Sequence, residues 1–291
     1  MKKRLGIGYI FWAMKDKDLE EKFFRKVAKK KGIELIEFNL SEGVDKKTIE
    51  EKAKKCDIIF NNSAEEFAIE IVKTLETLGK KVIEPSSTYY YLEDKWIFFL
   101  KCKENKIPTP ETILLSENIN LAKKEMNKFS HWPIILKRIE GTCGNYVEKA
   151  DNLKQAERII KKFWKEGSER LPIIAQELIL SHSYRITIIG EKIVQTAVKK
   201  GTGWKNTGVY SKKFGKLKID GELRKIVKKV IKSMDINICG IDLLKKDNKW
   251  VVLEVNATPS LDFFENHCEE LVGKTINLLI KKINKSKRIH K

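Results

Sequence analysis

The sequence predicts an α/β lobe built on a parallel sheet, followed by α+β lobes. Between residues 5 and 84, short apolar runs alternate with helical segments, a pattern typical of a parallel sheet with helices on its faces. Farther along the chain, two pairs of apolar runs are joined by short polar turns, which indicates β-hairpins. The length of 291 residues allows two or three lobes with buried cores.

The N-terminal lobe is predicted from its apolar periodicity. Leu19, Phe23 and Val27 recur at helical spacing, and Gly32 ends that helix. The loop 61–63 follows the third strand, where it could either contact a ligand or cap the next helix. No complete Gly-x-Gly-x-x-Gly or P-loop motif occurs, so neither nucleotide-binding motif is predicted. The predicted strands are 5–12, 33–38, 57–60 and 81–84, and the later helices are 47–55 and 65–78.

The rest of the chain is predicted as two α+β lobes and a tail. Pro108 and Pro110 break a helix and force extended chain. The predicted helices are 95–103, 121–129, 152–165, 220–234 and 269–284. The predicted strands are 109–116, 133–137, 172–179, 184–189, 192–199, 238–244 and 250–256. The predicted division is 1–91, 92–175 and 176–285, with a basic tail at 286–291.

Two neighbouring predicted strands carry polar side chains that packing does not explain. In the strand 250–256, period-two alternation places Glu254 and Asn256 on the same face as Trp250 and Val252. The preceding strand carries Asp242, and a short turn joins the two. Three hard oxygen ligands with open positions suit magnesium that also holds phosphate oxygens. The simpler alternative is a half-buried Asp and a Glu-x-Asn that makes turn hydrogen bonds.

A lysine at a strand end is followed by a loop that contains glycines. Lys137 ends the strand 133–137, and Glu140-Gly-Thr-Cys-Gly-Asn145 follows. Glycine lets backbone N–H groups approach phosphate closely, and lysine supplies a point charge. An ordinary hairpin loop is the alternative. Cys143 has no histidine near it in sequence, so we interpret it as a small loop residue rather than a nucleophile.

A second glycine-containing loop, residues 201–208, is flanked by lysines that include Lys199 and Lys205. A basic loop of this length in a compact lobe is more often functional than not. Arg185 and Thr187 share one face of a nearby predicted strand. The formal charge of +19 fits a Lys/Glu-rich, heat-adapted surface, a site for an anionic substrate or nucleic-acid binding.

Cysteine usage and apolar patterning restrict the class of protein. The cysteines are odd in number and widely spaced, without a CxxC pair, which argues against a disulfide framework or a zinc site. No apolar run approaches the length of a membrane span. The first apolar run is too short for a signal peptide and has no cleavage site. A cytoplasmic protein is therefore expected.

Taken together, the motifs resemble the ATP-grasp superfamily and, within it, the RimK-like carboxylate–amine ligases. The resemblance extends from about Asp94 to Phe264 and depends on the order of short motifs. The resemblance implies an ATP-grasp fold, in which two α+β lobes hold ATP behind the N-terminal parallel-sheet lobe. The motifs are Asp94-Lys95, Ile107-Pro-Thr-Pro110, Lys137 with Glu-Gly-Thr-Cys-Gly144, Gln176-Glu-Leu-Ile179, Gly240-Ile-Asp242 and Glu254-Val-Asn256-Ala-Thr-Pro-Ser260.

The resemblance also implies a role for each candidate site residue. Lys95 and Lys137 are expected to hold phosphates beneath the 141–144 lid, and Arg185 is expected to face the reacting carboxylate. The residues implied to bind ATP are Lys95, Lys137, Gly141, Thr142, Gly144, Gln176, Glu177, Leu178 and Lys205. Those implied to act in catalysis are Arg185, Lys199 and Asn206. Those implied to bind Mg²⁺ or Mn²⁺, with two ions expected, are Asp242, Glu254 and Asn256.

The implied reaction is ATP-dependent amide formation through an acyl phosphate, joining an amino acid such as L-glutamate to a small molecule, coenzyme or protein. Two departures affect the substrate side. Ser183 stands where the family commonly has Asp, and Trp204-Lys205-Asn206 stands where it commonly has Arg-Ser-Asn. A small-molecule kinase and an inactive scaffold that binds nucleic acid stay open as alternatives. The expected partners are ATP, an acid and an amine, with no membrane; a homo-oligomer stays open.

Overall fold

The computed structural model describes residues 4–13, 19–129, 131–141, 144–166, 170–200, 203–205, 213–215, 217–261 and 264–289. Within these residues the strands form three sheets, of which the first is parallel and the other two are antiparallel. The predicted combination of an N-terminal parallel sheet with later α+β structure is therefore confirmed.

The first sheet consists of β1 (Gly6–Phe11), β2 (Glu34–Asn39), β3 (Ile58–Asn61) and β4 (Val82–Ile83), in the order β2-β1-β3-β4. Every residue of β1 is buried, as expected for a parallel strand covered on both faces. The helices that accompany the sheet are α1 (Leu19–Lys30), α2 (Lys46–Lys55) and α3 (Glu66–Thr77).

The second sheet consists of β5 (Thr112–Leu114), β6 (Ile134–Arg138), β7 (Val147–Ala150) and β8 (Ile173–Glu177), in the order β5-β8-β6-β7. Helices α6 (Ile119–Lys128) and α7 (Leu153–Lys165) pack on this sheet, whereas α4 (Ser86–Leu92) and α5 (Lys95–Glu104) place Tyr89 and Phe98 in the apolar cluster of the third sheet. Met126 of α6 and Phe163 of α7 pack in one apolar cluster with Leu136 of β6. The predicted lobe boundary at 175/176 falls inside β8.

Two elements of this region are absent from the sequence prediction. No helix was predicted between the strand 81–84 and the helix that begins at Lys95, but Pro85 is the N-cap of α4. A proline is tolerated at a helix start because its missing N–H has no partner there. Strand β7 contains Glu148 and Lys149, both half-buried, so its edge position leaves little apolar signal in the sequence.

The third sheet consists of β9 (Ser183–Ile189), β10 (Lys192–Lys200), β11 (Lys213–Gly215), β12 (Ile238–Lys246) and β13 (Lys249–Asn256), in the order β11-β10-β9-β12-β13. Helix α8 (Gly221–Met234) packs on one face through Val227 and Val230. Asp247 and Asn248, with φ of 49° and 61°, turn β12 into β13. Positive φ at both central residues is the hairpin geometry that Asp and Asn tolerate. Strand β11 is not predicted by the sequence.

The simple alternation expected for the strand 250–256 is wrong for its first half. The register pairs Asp242 with Glu254 but Leu243 with Val252, so a β-bulge leaves one extra residue on β13. Trp250 and Val252 consequently pack with Val255 in the core beneath α8. Glu254 lies opposite Asp242 on the other face, away from Trp250.

Helix α9 (Glu265–Ile289) connects the first and third sheets. It is longer at both ends than the predicted 269–284 and continues into the predicted basic tail. Leu271 and Ile276 of α9 share one apolar cluster with Phe24 of α1 and with Ile189 and Ile238 of the third sheet. The same cluster contains Phe60 of β3 and Leu261, just after β13, so the first sheet packs beside the end of β13.

Candidate active site

Alternation along four neighbouring strands gathers polar side chains on one face of the third sheet. The register places Arg185 directly opposite both Ala197 and Asp242, and Asp242 opposite Glu254. Because side chains alternate with period two, one face carries a single set of residues, which we call the polar face. The polar face consists of Ser183, Arg185, Thr187, Gln195, Ala197, Lys199, Gly240, Asp242, Glu254 and Asn256.

Asp242 is the centre of the polar face. Its Oδ2 accepts a hydrogen bond from Arg185 Nη1 at 2.6 Å, and its Oδ1 accepts one from Lys199 Nζ at 2.9 Å. Asp242 and Lys199 are both buried, where a charge is stable only if paired. Burial by itself raises the pKa of Asp242, but the charges of Arg185 and Lys199 outweigh it, so that pKa lies below its usual range.

Glu254 is in a less favourable position than Asp242. Burial and the negative charge of Asp242 raise the pKa of Glu254, and the two carboxyl groups are close enough to share a hydrogen bond. Asn256 Nδ2 lies 3.4 Å from Asp242 Oδ2 and 3.4 Å from Glu254 Oε1. A cation beside Glu254 would therefore offset the repulsion between the two carboxylates.

The set Asp242, Glu254 and Asn256 fits magnesium with one adjustment. Its oxygen atoms are the hard ligands that Mg²⁺ prefers, and Asp242 retains lone pairs beyond those used by Arg185 and Lys199. Asn256, however, directs its amide nitrogen and not its oxygen towards the carboxylates. Coordination requires that amide to turn over, an exchange of groups with nearly equal shape. Among the described residues, no group of three or more His, Cys, Asp and Glu side chains is arranged so that it could hold a metal ion.

Two lysines from the part of the chain around the second sheet lie near Glu254. Lys137 on β6 donates from Nζ to Gln176 Oε1 at 2.8 Å, and burial lowers the pKa of Lys137 to about 8. Lys95 begins α5 directly after Asp94, whose side chain caps the helix. Burial also lowers the pKa of Lys95, and the charge of Glu254 partly reverses the effect on both lysines. Glu254 therefore lies near both predicted phosphate lysines, and we call the space between the second and third sheets at this point the cleft.

The first glycine loop begins beside Lys95. The Nζ of Lys95 donates to the carbonyl oxygen of Gly141 at 2.8 Å. Gly141 and Gly144 have φ of 125° and 73°, values that glycine adopts without strain. Thr142, predicted to bind ATP, and Cys143 lie outside the described residues.

The second glycine loop is described only in part. The predicted catalytic residue Asn206 lies outside the described residues. Lys205 lies within them, and its Nζ donates to the carbonyl oxygen of Val147 at 3.2 Å. This contact connects the loop after β10 to the start of β7, so the loop reaches from the third sheet to the second.

Three of the residues predicted to bind ATP, Gln176, Glu177 and Leu178, lie at the end of β8. Gln176 and Glu177 are buried, and Leu178 is half-buried just beyond the strand. The Glu177 carboxylate accepts from Lys246 Nζ at 2.6 Å and from the Glu111 N–H at 3.1 Å. The protein itself therefore engages the Glu177 side chain, at a distance in sequence that no local pattern reveals.

Gly240 has a role in the site that sequence reasoning missed. A Cβ on Gly240 would overlap the guanidinium group of Arg185, because that group lies flat across β12 to reach Asp242. Glycine inside a strand is otherwise destabilising and often marks a close approach. The available signal was a glycine two residues before Asp242 in a strand of mostly apolar residues.

A basic groove lies elsewhere, on the exposed face of α7, with a volume of about 690 Å³. Glu157 within it is paired with Lys123 at 2.8 Å and with Lys161 at 2.7 Å. None of its lining residues belongs to the polar face. The lining consists of Lys154, Glu157, Arg158, Lys161, Lys162, Lys165 and Glu166. Among the described helices, none has the length and hydrophobicity needed to cross a lipid bilayer.

Comparison with known proteins identifies the family and the fold of the chain. The family model of the RimK-like ATP-grasp domain matches residues 92–280. A coenzyme gamma-F420-2:alpha-L-glutamate ligase from Methanococcus maripaludis is 25% identical over 201 residues, which cover 69% of this chain and 70% of the relative. A probable alpha-L-glutamate ligase from Legionella pneumophila is 28% identical over 230 residues, which cover 76% of this chain and 74% of the relative.

Solved structures show the same architecture. A RimK domain ATP-grasp protein from Sphaerobacter thermophilus aligns with a TM-score of 0.72 over 94% of this chain and 98% of that one. The sequence identity is 16%, so this likeness concerns the fold alone.

Proposed function

The chain belongs to the RimK-like ATP-grasp family and is an ATP-dependent ligase that forms carbon–nitrogen bonds; we propose that it joins an acid to an amine through an acyl phosphate. One observation carries the proposal. The charge of Glu254, which lies opposite Asp242 on the third sheet, acts on Lys95 and Lys137 across the cleft. This arrangement suits a nucleotide triphosphate held with a divalent cation.

Each side of the cleft has a distinct task in this proposal. Lys95 and Lys137 bind the ATP phosphates, and Asp242, Glu254 and Asn256 hold the magnesium. When bound, magnesium neutralises negative charge on the phosphates. Because burial has already lowered the pKa of both lysines, a phosphate anion restores a counter-charge to groups that the fold has partly desolvated.

Arg185 is proposed to hold the acid substrate. Its guanidinium lies flat on the strand floor and donates to Asp242 through Nη1, while a guanidinium has five N–H donors in all. A substrate carboxylate can therefore be paired beside the phosphates despite the repulsion between the two anions. Lys199 balances the charge of Asp242 from the other side, which keeps Arg185 available to the substrate.

The proposed chemistry uses no protein nucleophile. A substrate carboxylate oxygen attacks the γ-phosphorus, the bond to ADP breaks, and an acyl phosphate forms. The amine then attacks the acyl carbon, loses a proton, and releases phosphate with the original carboxylate oxygen. Two buried cysteines are poor candidates for a nucleophile. Burial raises the pKa of Cys56 and Cys102 to about 12, and a thiol that stays protonated reacts poorly.

L-glutamate is the first amino acid to test, because the two relatives named above are glutamate ligases by name. Ser183 and the loop that includes Trp204 and Lys205 differ from the common family pattern on the substrate side. The proposal therefore extends to other amino acids, and the second substrate is proposed as a small molecule, a coenzyme or a protein.

Oxygen-isotope transfer tests the proposal directly. Purified protein is incubated with Mg-ATP, candidate acids labelled with ¹⁸O in the carboxylate, and a panel of amines, and the released phosphate is analysed by mass spectrometry. One ¹⁸O atom per phosphate, formed only when acid and amine are both present, is the expected result. Glu254→Ala should abolish it, whereas Glu157→Gln, on the distant α7 face, should not.

Other outcomes would decide between the alternatives. Phosphorylation of a hydroxyl compound without isotope transfer would assign the protein as a kinase on the same fold. Mg-independent, steeply salt-dependent binding of arbitrary duplex DNA, with no ATP turnover, would instead support the nucleic-acid scaffold.

A further inference from the structure

Three polar side chains form a continuous hydrogen-bonded line across the second sheet. The hydroxyl of Thr112 donates to the carbonyl oxygen of Pro110 at 2.9 Å. Gln176 Nε2 donates to Thr112 Oγ1 at 2.9 Å, and Lys137 Nζ donates to Gln176 Oε1 at 2.8 Å. Thr112 and Gln176 are 4% and 6% exposed, so these bonds are not readily exchanged for bonds to water.

The direction of this line is fixed at its Thr112 end. A hydroxyl group has one hydrogen, and that hydrogen is used on the Pro110 carbonyl. The oxygen of Thr112 can therefore only accept, and Gln176 must turn its NH₂ group towards it. The amide oxygen of Gln176 then necessarily faces Lys137. An amide turned the other way would place its NH₂ group against an ammonium and leave buried groups unsatisfied.

The strand register explains how a residue in β5 reaches a lysine in β6. Thr112 lies directly opposite Gln176, and Gln176 lies opposite Ile135 on the far side of β8. Lys137 is two residues beyond Ile135, on the same face. The Pro-x-Pro segment that ends in Pro110 holds the chain extended before β5, which places the anchoring carbonyl two residues before Thr112.

We propose that Thr112 is a positioning residue for nucleotide binding, which acts through the amide of Gln176 on the ammonium of Lys137. The inference rests on the proposed function, because that function assigns Lys137 to the ATP phosphates. An ammonium has three hydrogens. With one of them bound to Gln176, the direction of the other two is restricted before ATP arrives, which reduces the ordering that binding requires.

ATP affinity, measured without acid or amine, tests this inference. The dissociation constant of Mg-ATP is determined by calorimetry for wild type, Thr112→Val and Thr112→Ser. Valine has the shape of threonine but no hydroxyl, and serine restores the hydroxyl. We expect Thr112→Val to weaken binding by about tenfold, and Thr112→Ser to stay near wild type. Thermal unfolding of each variant identifies loss of affinity that is due to loss of the fold.

A double-variant cycle shows whether the effect passes through Gln176. In a Gln176→Ala background, Thr112→Val should cause no further loss of ATP affinity, because the intermediary is already absent. Equal losses in Thr112→Val and Thr112→Ser, or full additivity with Gln176→Ala, would overturn the inference. If Thr112→Val does not fold, Thr112→Ala replaces it in the same cycle.

The result is separable from the fate of the ligase proposal. Tight ATP binding by wild type with the expected pattern supports the role of Thr112 even if no acid or amine is ever joined. Wild type that does not bind Mg-ATP would overturn the proposed function, and the role of Thr112 with it.

Discussion

Glu254 in the cleft is half-buried, Glu84 at the junction of the first and third sheets is buried, and the partners of the two carboxyl groups differ. Glu84 is fully buried, and its oxygens accept from the N–H groups of Asn237 and Ile238 at 3.0 and 2.8 Å. They also accept from Asn237 Nδ2 at 3.0 Å. Glu254 instead faces a second carboxylate, Asp242.

The difference teaches how each carboxyl is used. Burial raises the pKa of Glu84 and the N–H donors partly reverse that rise, so that the pKa lies at about 7. Burial and a second negative charge both raise the pKa of Glu254. At the junction the chain supplies its own donors, so Glu84 fastens two sheets together without any ligand. In the cleft Glu254 faces a second carboxylate, and in the proposed function a cation from solution neutralises this negative charge.

Glu254→Gln should reduce turnover more than any other substitution considered below. A smaller reduction would contradict the difference in role between Glu254 and Glu84. The substitution retains shape but removes the charge proposed to bind magnesium. We expect turnover to fall by about 10²–10³-fold. The thermal midpoint at pH 7 without magnesium should rise, because the repulsion with Asp242 is removed. ADP formation with both substrates, and thermal unfolding, measure the two effects.

Glu84→Gln is the matched control for that experiment, since it is the same change at the other carboxyl. It should leave turnover unchanged. Full activity in Glu254→Gln would show that Glu254 does not bind the catalytic cation.

The second prediction concerns stability and pH at Glu84. The folded protein holds the Glu84 proton up to a pKa of about 7, whereas an unfolded glutamate releases it near pH 4.3. Stability from this group is therefore complete below about pH 4.3 and is lost as pH rises through about 7, by about 4 kcal/mol in total. Urea unfolding of wild type and Glu84→Gln at several pH values measures the difference.

Glu84→Gln should flatten the pH dependence between pH 5 and 8 and be more stable than wild type at pH 8. A Gln oxygen can still accept from the Ile238 N–H, and the Asn237 amide can turn to match the new NH₂ group. Identical pH dependence in the two proteins would mean that Glu84 is ionised throughout, and the contrast with Glu254 would be lost.

The fold was predictable where burial leaves a periodic signal. The first sheet was predicted because its strands are buried on both faces and read as apolar runs. The bulge in β13 was not predictable, because Trp250-Val-Val-Leu253 is apolar throughout and carries no mark of which residue is extra. Glu84 was read only as a strand end, since its partner Asn237 lies 153 residues away in sequence.

The candidate site was predicted to the extent that its residues lie in recognisable motifs. Asp242, Glu254 and Asn256 were expected to lie together, and the register places them on one face of the third sheet. The pairing of Lys199 with Asp242 and the clearance above Gly240 depend on strand neighbours that are distant in sequence. Such contacts follow from the register of the sheet, which a bulge can shift by one residue.

The third prediction is that Gly240→Ala displaces Arg185. The backbone of Gly240 is not in the left-handed region, so an alanine is excluded only by the guanidinium above it. We expect a loss of stability of about 1–3 kcal/mol from overpacking and a fall in turnover of about tenfold. Steady-state kinetics and urea unfolding measure both.

A cycle with Arg185→Met identifies the cause. Once the guanidinium is absent, Gly240→Ala should cost no further activity. Additive losses would mean that Gly240 serves the strand itself and not the position of Arg185.

The smallest expected effect sharpens the account of the junction. The charge of Lys282 on α9 lowers the pKa of Glu84, but by less than burial raises it or the hydrogen bonds lower it. Lys282→Met should therefore raise the pKa of Glu84 further. The free energy of unfolding lost as pH rises should increase by about 0.2–1 kcal/mol, as for other partly exposed charges. Lys282→Arg, which keeps the charge, should behave as wild type, and Lys282→Met should not alter the pH dependence of Glu84→Gln. A larger effect would show that the charge of Lys282, and not the N–H donors, stabilises most of the ionised form of Glu84. The junction would then resemble the cleft.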